Sequence, residues 1–320
     1  MRSPLADLLI RHQVLVPADN AFQRRARLLQ ALWREEQGLP IGEHRGRPLG
    51  SRLAMPAAKD DLSNYLTEAI RDVVRCEVLD PQQSKGKLYG QPRIFNDLLS
   101  SQPLCFNLFG ELQQDLELAS RVFQRMTAGR VNTVTAIGFE VSPGRGDAKY
   151  IGDSSAFDVF VEYVSAGGVK GFCAIEVKYH ESLADKVATH KARYDAIANA
   201  MDCFEPTASE RLKAKPLQQI WRDHLLMGSL LRDEEQGFKD GFFAFLYPQD
   251  NACCADAVAG YRSGLRDATS FASWTLESFV EAITKEGGGA WIEALKRRYS
   301  DFGKVDAVLE AEVLVTNATG

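Results

Sequence analysis

Asp158, Glu176 and Lys178 are the residues of this sequence whose types and spacing can do chemistry. Asp158 stands near the start of the apolar run 156–164 (AFDVFVEYV), and Glu176 and Lys178 stand near the end of the run 169–180 (VKGFCAIEVKYH). Both runs read as β-strands, and the SAGG at 165–168 suits a hairpin turn between them. Strand side chains alternate faces, so Glu176 and Lys178 point the same way. The hairpin brings Asp158 and Glu176 onto neighbouring strands, within reach of one metal ion. Hard divalent cations such as Mg²⁺ take carboxylate and carbonyl oxygens, and the backbone carbonyl of Val177 can supply a further ligand. Such an ion polarises a phosphoryl group and lowers the pKa of a bound water. The Lys178 ammonium can orient that water or stabilise charge developing on the phosphate. A plain structural Glu–Lys pair is the competing reading, because charges alternate on exposed strand faces. Here the flanks are apolar, and an isolated charge in such surroundings is costly unless paired.

The elements that must position this set can be read on either side of it. Periodic apolar residues predict helices over 19–37, 60–78, 107–126, 184–204 and 214–231. Strands are expected at 131–143, 156–164, 169–180 and 240–248, followed by three outer helices in ACCADAVAGYRSGL, TLESFVEAITKE and AWIEALKRRYSDF. The stretch 38–53 is rich in glycine and proline and reads as an irregular connection, with Arg45, Arg47 and Arg52 either touching phosphates or simply solvated. The loop GRGDAKYIGDSS fits neither a P-loop nor a dinucleotide fingerprint; it reads as a mobile loop near the site. No repeat or interdomain linker is evident. The simplest architecture is one α/β domain with a helical N-terminal extension.

Composition bounds the function without choosing it. The chain has 320 residues, 45% hydrophobic and 25% charged, with a formal net charge of −5. That balance argues mildly against wholesale coating of nucleic acid, yet leaves room for an enzyme with one basic cleft. Six cysteines form no Cys-x-x-Cys pair and no zinc-like spacing, and read as reduced cytosolic thiols. No apolar run has signal-peptide or membrane-spanning character, so a soluble cytoplasmic protein is expected. There is no Gly-x-Ser-x-Gly elbow and no credible Cys/His pair for a small-molecule hydrolase.

The order helix, three strands, helix, strand, with an Asp on one strand and Glu-x-Lys on the next, resembles the PD-(D/E)XK nuclease superfamily. Asp158 matches its first metal-binding acid, and Glu176 and Lys178 match its (D/E)-x-K; Phe157 stands where the motif name has proline. Longer pieces, among them LLSSQPLCFNLFGEL, FEVSPGR, SAFDVFVEY, AIEVKYHE and WRDHLL, look like a restriction-endonuclease-like bacterial subgroup. The resemblance implies an αβββαβ core with a mixed central sheet flanked by helices over 101–320, and a helical extension over 1–100 packed on it. It implies a Mg²⁺-dependent nuclease (Mn²⁺ as the alternative ion) that hydrolyses phosphodiester bonds of nucleic acid, DNA before RNA. Asp158, Glu176 and the Val177 carbonyl would hold the metal, and Lys178 would position the nucleophile. His190 and Tyr194 have the spacing of a Gln-x-x-x-Tyr pair in RecB-type relatives, with a buried helix tyrosine as the other reading of Tyr194. Glu140 is a candidate auxiliary ligand, and Glu111 is either a further acid near the metal or a helix-start carboxylate. Arg145, Arg193 and Arg222 are candidate nucleic-acid contacts, Trp221 reads as core, and His224 as a structural histidine. A homodimer and a catalytically inactive nuclease-like binding module stay open as alternatives.

Overall fold

The computed structural model describes residues 3–184 and 186–318, with side chains as far as Leu314. The stretch read as irregular is a hairpin, Ile41–His44 (β1) paired antiparallel with Arg47–Leu53 (β2). Its turn residues Arg45 and Gly46 both have positive φ, 53° and 73°, as a tight two-residue hairpin turn requires. A Cβ on Gly42 would stand 2.1 Å from the Leu53 carbonyl oxygen, so the glycine that looks like a breaker is what lets the strands close.

The main sheet has five strands in the order β3-β4-β5-β6-β7. They are Val131–Val141 (β3), Phe157–Ser165 (β4), Lys170–Val177 (β5), Asp240–Tyr247 (β6) and Phe271–Thr275 (β7). The first three form an antiparallel meander, while β6 and β7 add in parallel. The strand β7 was not anticipated from the sequence. Helices cover both faces, which makes this the mixed α/β architecture of a restriction-endonuclease-like fold.

Seven helices matter for the site. They are Ala21–Glu36 (α1), Ser101–Gln114 (α2), Leu116–Met126 (α3), Ala192–Met201 (α4), Gln218–Leu231 (α5), Leu276–Lys285 (α6) and Trp291–Tyr299 (α7). The expected helix over 107–126 is instead two, because Asp115 ends α2 and caps α3 by accepting from the Leu118 amide at 2.8 Å. Pro103 lies in the first turn of α2, where no intrahelical N–H partner is lost. The helix expected over 60–78 is α-helical only at Glu68–Val74, followed by a π-turn at Arg75–Leu79. The one expected over 184–204 is helical only at Ala192–Met201; Asp185 lies outside the described residues.

Alternation on β4 and β5 divides the core into two layers. Val159, Val161, Tyr163, Cys173, Ile175 and Val177 face α1, α2, α3, α6 and α7. Phe160, Phe172 and Ala174 face the other layer, with Tyr194 and Ile197 of α4 and Ile220, Trp221 and Leu225 of α5. The N-terminal segment is tied into the first layer. Gln30 of α1 donates to the Tyr179 hydroxyl at 3.1 Å and the Arg298 carbonyl at 2.7 Å. The fully buried Arg298 guanidinium in turn bonds Asn64 and Gln30. The residue after Lys178 is thereby anchored from beneath the sheet.

Candidate active site

Strand register places the acids. Val159 pairs with Ile175, so one step further Asp158 lies level with Glu176, on the face that carries Phe160 and Phe172. Asp158 Oδ2 accepts from the Val177 amide at 2.8 Å, closing the end of the ladder with a side chain. Lys178 follows β5, its own amide donating to the Leu246 carbonyl of β6 at 2.8 Å. Its ammonium donates to Glu176 Oε1 at 2.5 Å, and both side chains are buried, at 7% and 5% exposure. Gln219 of α5 donates to the same Glu176 oxygen at 2.6 Å.

The electrostatics follow from crowding acids in little solvent. Burial first, then the like charge of Glu176, holds the Asp158 carboxyl well above the usual carboxylate range. Burial alone would pull the Lys178 ammonium down, but Glu176, Glu181 and Asp158 outweigh it and hold it above its ordinary value. Burial pushes Glu181 up, yet His180, Lys178 and the Tyr179 amide together keep it below the usual range. Asp223 of α5, 4% exposed, is held well above the carboxylate range by burial and then by Glu176. Its Oδ2 is buried without a hydrogen-bond partner among the described residues.

Asp158, Glu176 and Asp223 line one cavity of about 280 Å³, with Lys178 bonded to Glu176 but outside the lining. Asp158 and Glu176 come from the sheet, and Gln218, Gln219, Arg222 and Asp223 from α5. The segment that crosses above carries Leu183, Lys186, Val187 and Ala188. Gln218 holds that segment as a strand would, accepting from the Ala188 amide at 2.6 Å and donating to its carbonyl at 2.7 Å. Lys186, Lys215 and Arg222 put cations on the walls.

A model of the PD-(D/E)XK nuclease superfamily matches residues 17–301. The chain belongs to that superfamily. Membership supports a nuclease-type phosphodiesterase. No curated protein and no solved structure matches the chain. Within this PD-(D/E)XK fold the Asp and the Glu of the sequence motif line one cavity, and the Lys is bonded to that Glu. Among the described residues no three His, Cys, Asp or Glu side chains are grouped so as to hold one ion between them. The carboxylates that line the cavity are Asp158, Glu176 and Asp223, the oxygen type that a hard divalent cation takes.

The other sequence candidates are distributed around this centre. Glu140 is brought level with Asp158 by the flanking pairs Phe139–Val159 and Val141–Phe157, and its charge acts on Asp158. Its backbone is left-handed, φ 51°, which costs a non-glycine residue about 1 kcal/mol and breaks the strand alternation. Its carboxylate accepts from Arg145 at 2.6 Å. Glu111 accepts from the Thr67 hydroxyl at 2.5 Å and does not line the cavity. His190 precedes α4 rather than sharing its helix face with Tyr194; it pairs with Asp195 at 2.7 Å and stacks on Trp221.

Tyr194 and Arg222 meet on Asp153. The Tyr194 hydroxyl donates to Asp153 Oδ2 at 2.6 Å, and Arg222 donates to it at 2.5 Å and to the Ser155 hydroxyl at 2.7 Å. Arg193 donates to the Tyr150 and Lys149 carbonyls, and Arg145 to the Gly86 and Ser154 carbonyls. The loop expected to be mobile is thus fastened at many points, with Ser155 and Ala156 delivered to the cavity. His224 is buried between the Tyr261 and Ser270 hydroxyls, and burial pushes its imidazole down to about 3. Trp221 is core, as read. Sequence reasoning passed over Gln218, Gln219 and Asp223; only the i, i+4 spacing of 219 and 223 on a helix already flagged hinted at a shared face.

Proposed function

We propose that the chain is a divalent-metal-dependent nuclease that hydrolyses phosphodiester bonds, with DNA as its substrate. Asp158 and Glu176 are the carboxylate ligands, and Mg²⁺ is the ion, with Mn²⁺ able to replace it. The observation that carries the reading is that Asp158 and Glu176 line one cavity with cationic walls while the buried Lys178 ammonium is paired with Glu176. Residues 101–320 supply this centre, and 1–100 act as an extension that braces it.

The residues present fit a hard cation. The buried Asp223 oxygen without a partner and the elevated Asp158 carboxyl mark a centre with more negative charge than its protein neighbours neutralise. The Val177 amide points at Asp158, and a strand residue sends its N–H and C=O to the same edge, which supports the Val177 carbonyl as a third oxygen. When bound, the ion supplies Lewis-acid polarisation of a phosphoryl oxygen and an acidified water. Lys178 holds its proton, spends one N–H on Glu176, and keeps two further donors for the water and for the phosphate oxygen on which charge grows. Gln219 and Lys178 fix Glu176 in one rotamer, so that ligand geometry is set before substrate arrives. Lys186, Lys215 and Arg222 receive the phosphate backbone at the cavity walls. From outside the cavity lining Glu140 acts on Asp158 and Tyr194 on Arg222, while Glu111 and His190 support neighbouring segments through Thr67 and Asp195.

The test is a cleavage assay on single- and double-stranded DNA and RNA with Mg²⁺ or Mn²⁺. DNA is cut, cutting stops with EDTA, and Lys178→Ala and Asp158→Ala abolish it. A pure, metal-loaded wild type that cuts no nucleic acid overturns the reading.

A further inference from the structure

A second cavity, of about 180 Å³, shares α5 with the first but none of its lining residues. Trp221 of α5 lines it, 2% exposed, and its indole Nε1 is buried without an acceptor among the described residues. A buried tryptophan N–H ordinarily finds a partner. The ring is clamped, stacked on His190 with planes 8° apart and edge-on to Tyr194 at 87°. An indole held in this way cannot swing its N–H out to solvent.

The polar groups around this indole are of two kinds. Asp195 is taken by His190 and Lys213, and Asp202 by Arg266. Asn199, Glu205 and Ser209 also line the cavity, and their side chains make no hydrogen bond or ion pair among the described residues. Phe204, Pro206 and Leu212 add apolar surface. This lining fits a ligand that is flat, with apolar faces, an acceptor for the Trp221 N–H and N–H donors for the Glu205 carboxylate. The ligand brings no negative charge into the cavity, because Asp195, Asp202 and Glu205 line it against Arg266 alone. A nucleobase with an exocyclic amine meets each condition. Guanine meets them best, since its N1–H and N2–H are adjacent donors for one carboxylate and its O6 is an acceptor. Phosphate meets none.

The two cavities are close neighbours. Gln218 and Arg222 line the first, and Trp221, between them on α5, lines the second. Leu212 lines the second and Lys215 and Pro216 line the first, so one short stretch of chain separates them. We propose that the second cavity receives an unpaired nucleobase bearing an exocyclic amine, guanine above the others, from the strand being cut and close to the scissile phosphate. The source of the base rests on the nuclease reading above; the pocket itself does not. A base stacked in a duplex cannot enter such a cavity, so the strand is single there or the base is turned out of the stack.

The experiment has two arms. In the first, the full chain in EDTA is titrated with guanosine, cytidine, adenosine and thymidine, which carry no phosphate. Affinity is read by equilibrium dialysis, and the Trp221 indole N–H is followed by NMR, assigned by its loss in Trp221→Phe. Guanosine shifts that resonance downfield and binds about tenfold or more tightly than thymidine, and Glu205→Gln weakens guanosine by about tenfold or more. Should Trp221→Phe not fold, Glu205→Gln, whose side chain is half-buried, decides through affinity alone. In the second arm, single-stranded DNA carries one abasic position moved stepwise past the cut. One position lowers kcat/KM by about tenfold, and Glu205→Gln erases that difference between intact and abasic strands. No nucleoside bound, or guanosine binding that Glu205→Gln leaves unchanged, overturns the pocket while cleavage stands. Guanosine bound with no abasic effect at any position overturns the strand as the source of the base. Guanosine binding lost in Glu205→Gln, by a chain that cuts no nucleic acid, upholds the pocket and overturns the nuclease reading.

Discussion

Replacing Lys178 by Met removes a buried ammonium while keeping the length of the side chain, and its cost can be worked from the site. The ammonium sits 2.5 Å from Glu176 Oε1 at 7% exposure, with Glu181 and Asp158 also acting on it. One ion pair with charge centres about 4 Å apart is worth about 4 kcal/mol at an effective dielectric constant near 20. Removing one partner of a buried pair costs about 3–5 kcal/mol, because the other charge is left uncompensated. At about 2.1 cal/mol/K of unfolding entropy per residue, 320 residues translate this into a melting temperature lower by about 5 °C. The loss depends on pH with a definite sign. The Lys178 pKa is raised in the folded state, so its contribution is fully present below its unfolded value of about 10.4 and is lost only above it. Without it the Asp158 carboxyl is held still higher, and a raised carboxyl contributes stability below about 4 that fades as pH rises. The gap between wild type and Lys178→Met, measured by calorimetry in EDTA, therefore widens from pH 5 to pH 8. Adding Glu176→Gln to Lys178→Met recovers part of the loss at pH 8. Equal melting temperatures at pH 8, or a gap that does not change with pH, would refute the picture of an ammonium compensating clustered acids.

Three further outcomes are expected. Asp153→Ala leaves the Arg222 guanidinium and the buried Tyr194 hydroxyl without their shared acceptor; stability falls by about 3 kcal/mol in denaturant titration, and limited proteolysis opens the 144–155 loop. His224, pushed down to about 3 by burial, stays neutral while the unfolded chain takes a proton. Its depressed folded value gives stability present above about 6.5 and lost as pH falls toward 3, up to roughly 5 kcal/mol, so His224→Phe has a flatter acid limb in pH-dependent unfolding despite a lower stability at pH 7. Gln218→Ala removes both bonds to Ala188; each is worth about 1 kcal/mol, and hydrogen exchange at the Ala188 amide accelerates by about tenfold or more while β4 and β5 stay protected.

Much of the framework was legible because it is written in local pattern. The runs that became β3, β4, β5 and β6 are apolar, bounded by turn residues, and long enough to declare themselves. The hairpin of β1 and β2 was hidden because the residues that permit it, Gly42 and Gly46, are the same types that elsewhere signal a loop. The strand β7 is five residues long, FASWT, and gains its identity only by adding in parallel to β6. Asp158, Glu176 and Lys178 could be found because strand alternation and one turn suffice to juxtapose them. Gln218, Gln219 and Asp223 could not, since their place depends on where α5 crosses the sheet, a tertiary relation that leaves no spacing signature. His190 and Tyr194 show the reverse error: a four-residue spacing suggests one helix face, but α4 begins after His190.

The net charge of −5 is a weak guide to substrate, because the charges that matter are not averaged over the surface. At the cavity the local balance is adverse to a phosphate, with Asp158, Glu176 and Asp223 facing a single buried ammonium that is already paired. Of the wall cations, Arg222 is held by Asp153, and Lys215 donates to the Ala184 carbonyl at 2.6 Å. Side chains alone thus offer a polyanion little net attraction at the point where its bond would be cut, since attraction and repulsion at these distances are of similar size. On the proposed reading, divalent charge must enter before or with the substrate, and it serves binding as well as chemistry. An acidic protein with an acidic site is then consistent with a nuclease, because the carboxylates that repel phosphate in the metal-free chain are the groups that recruit the cations it needs.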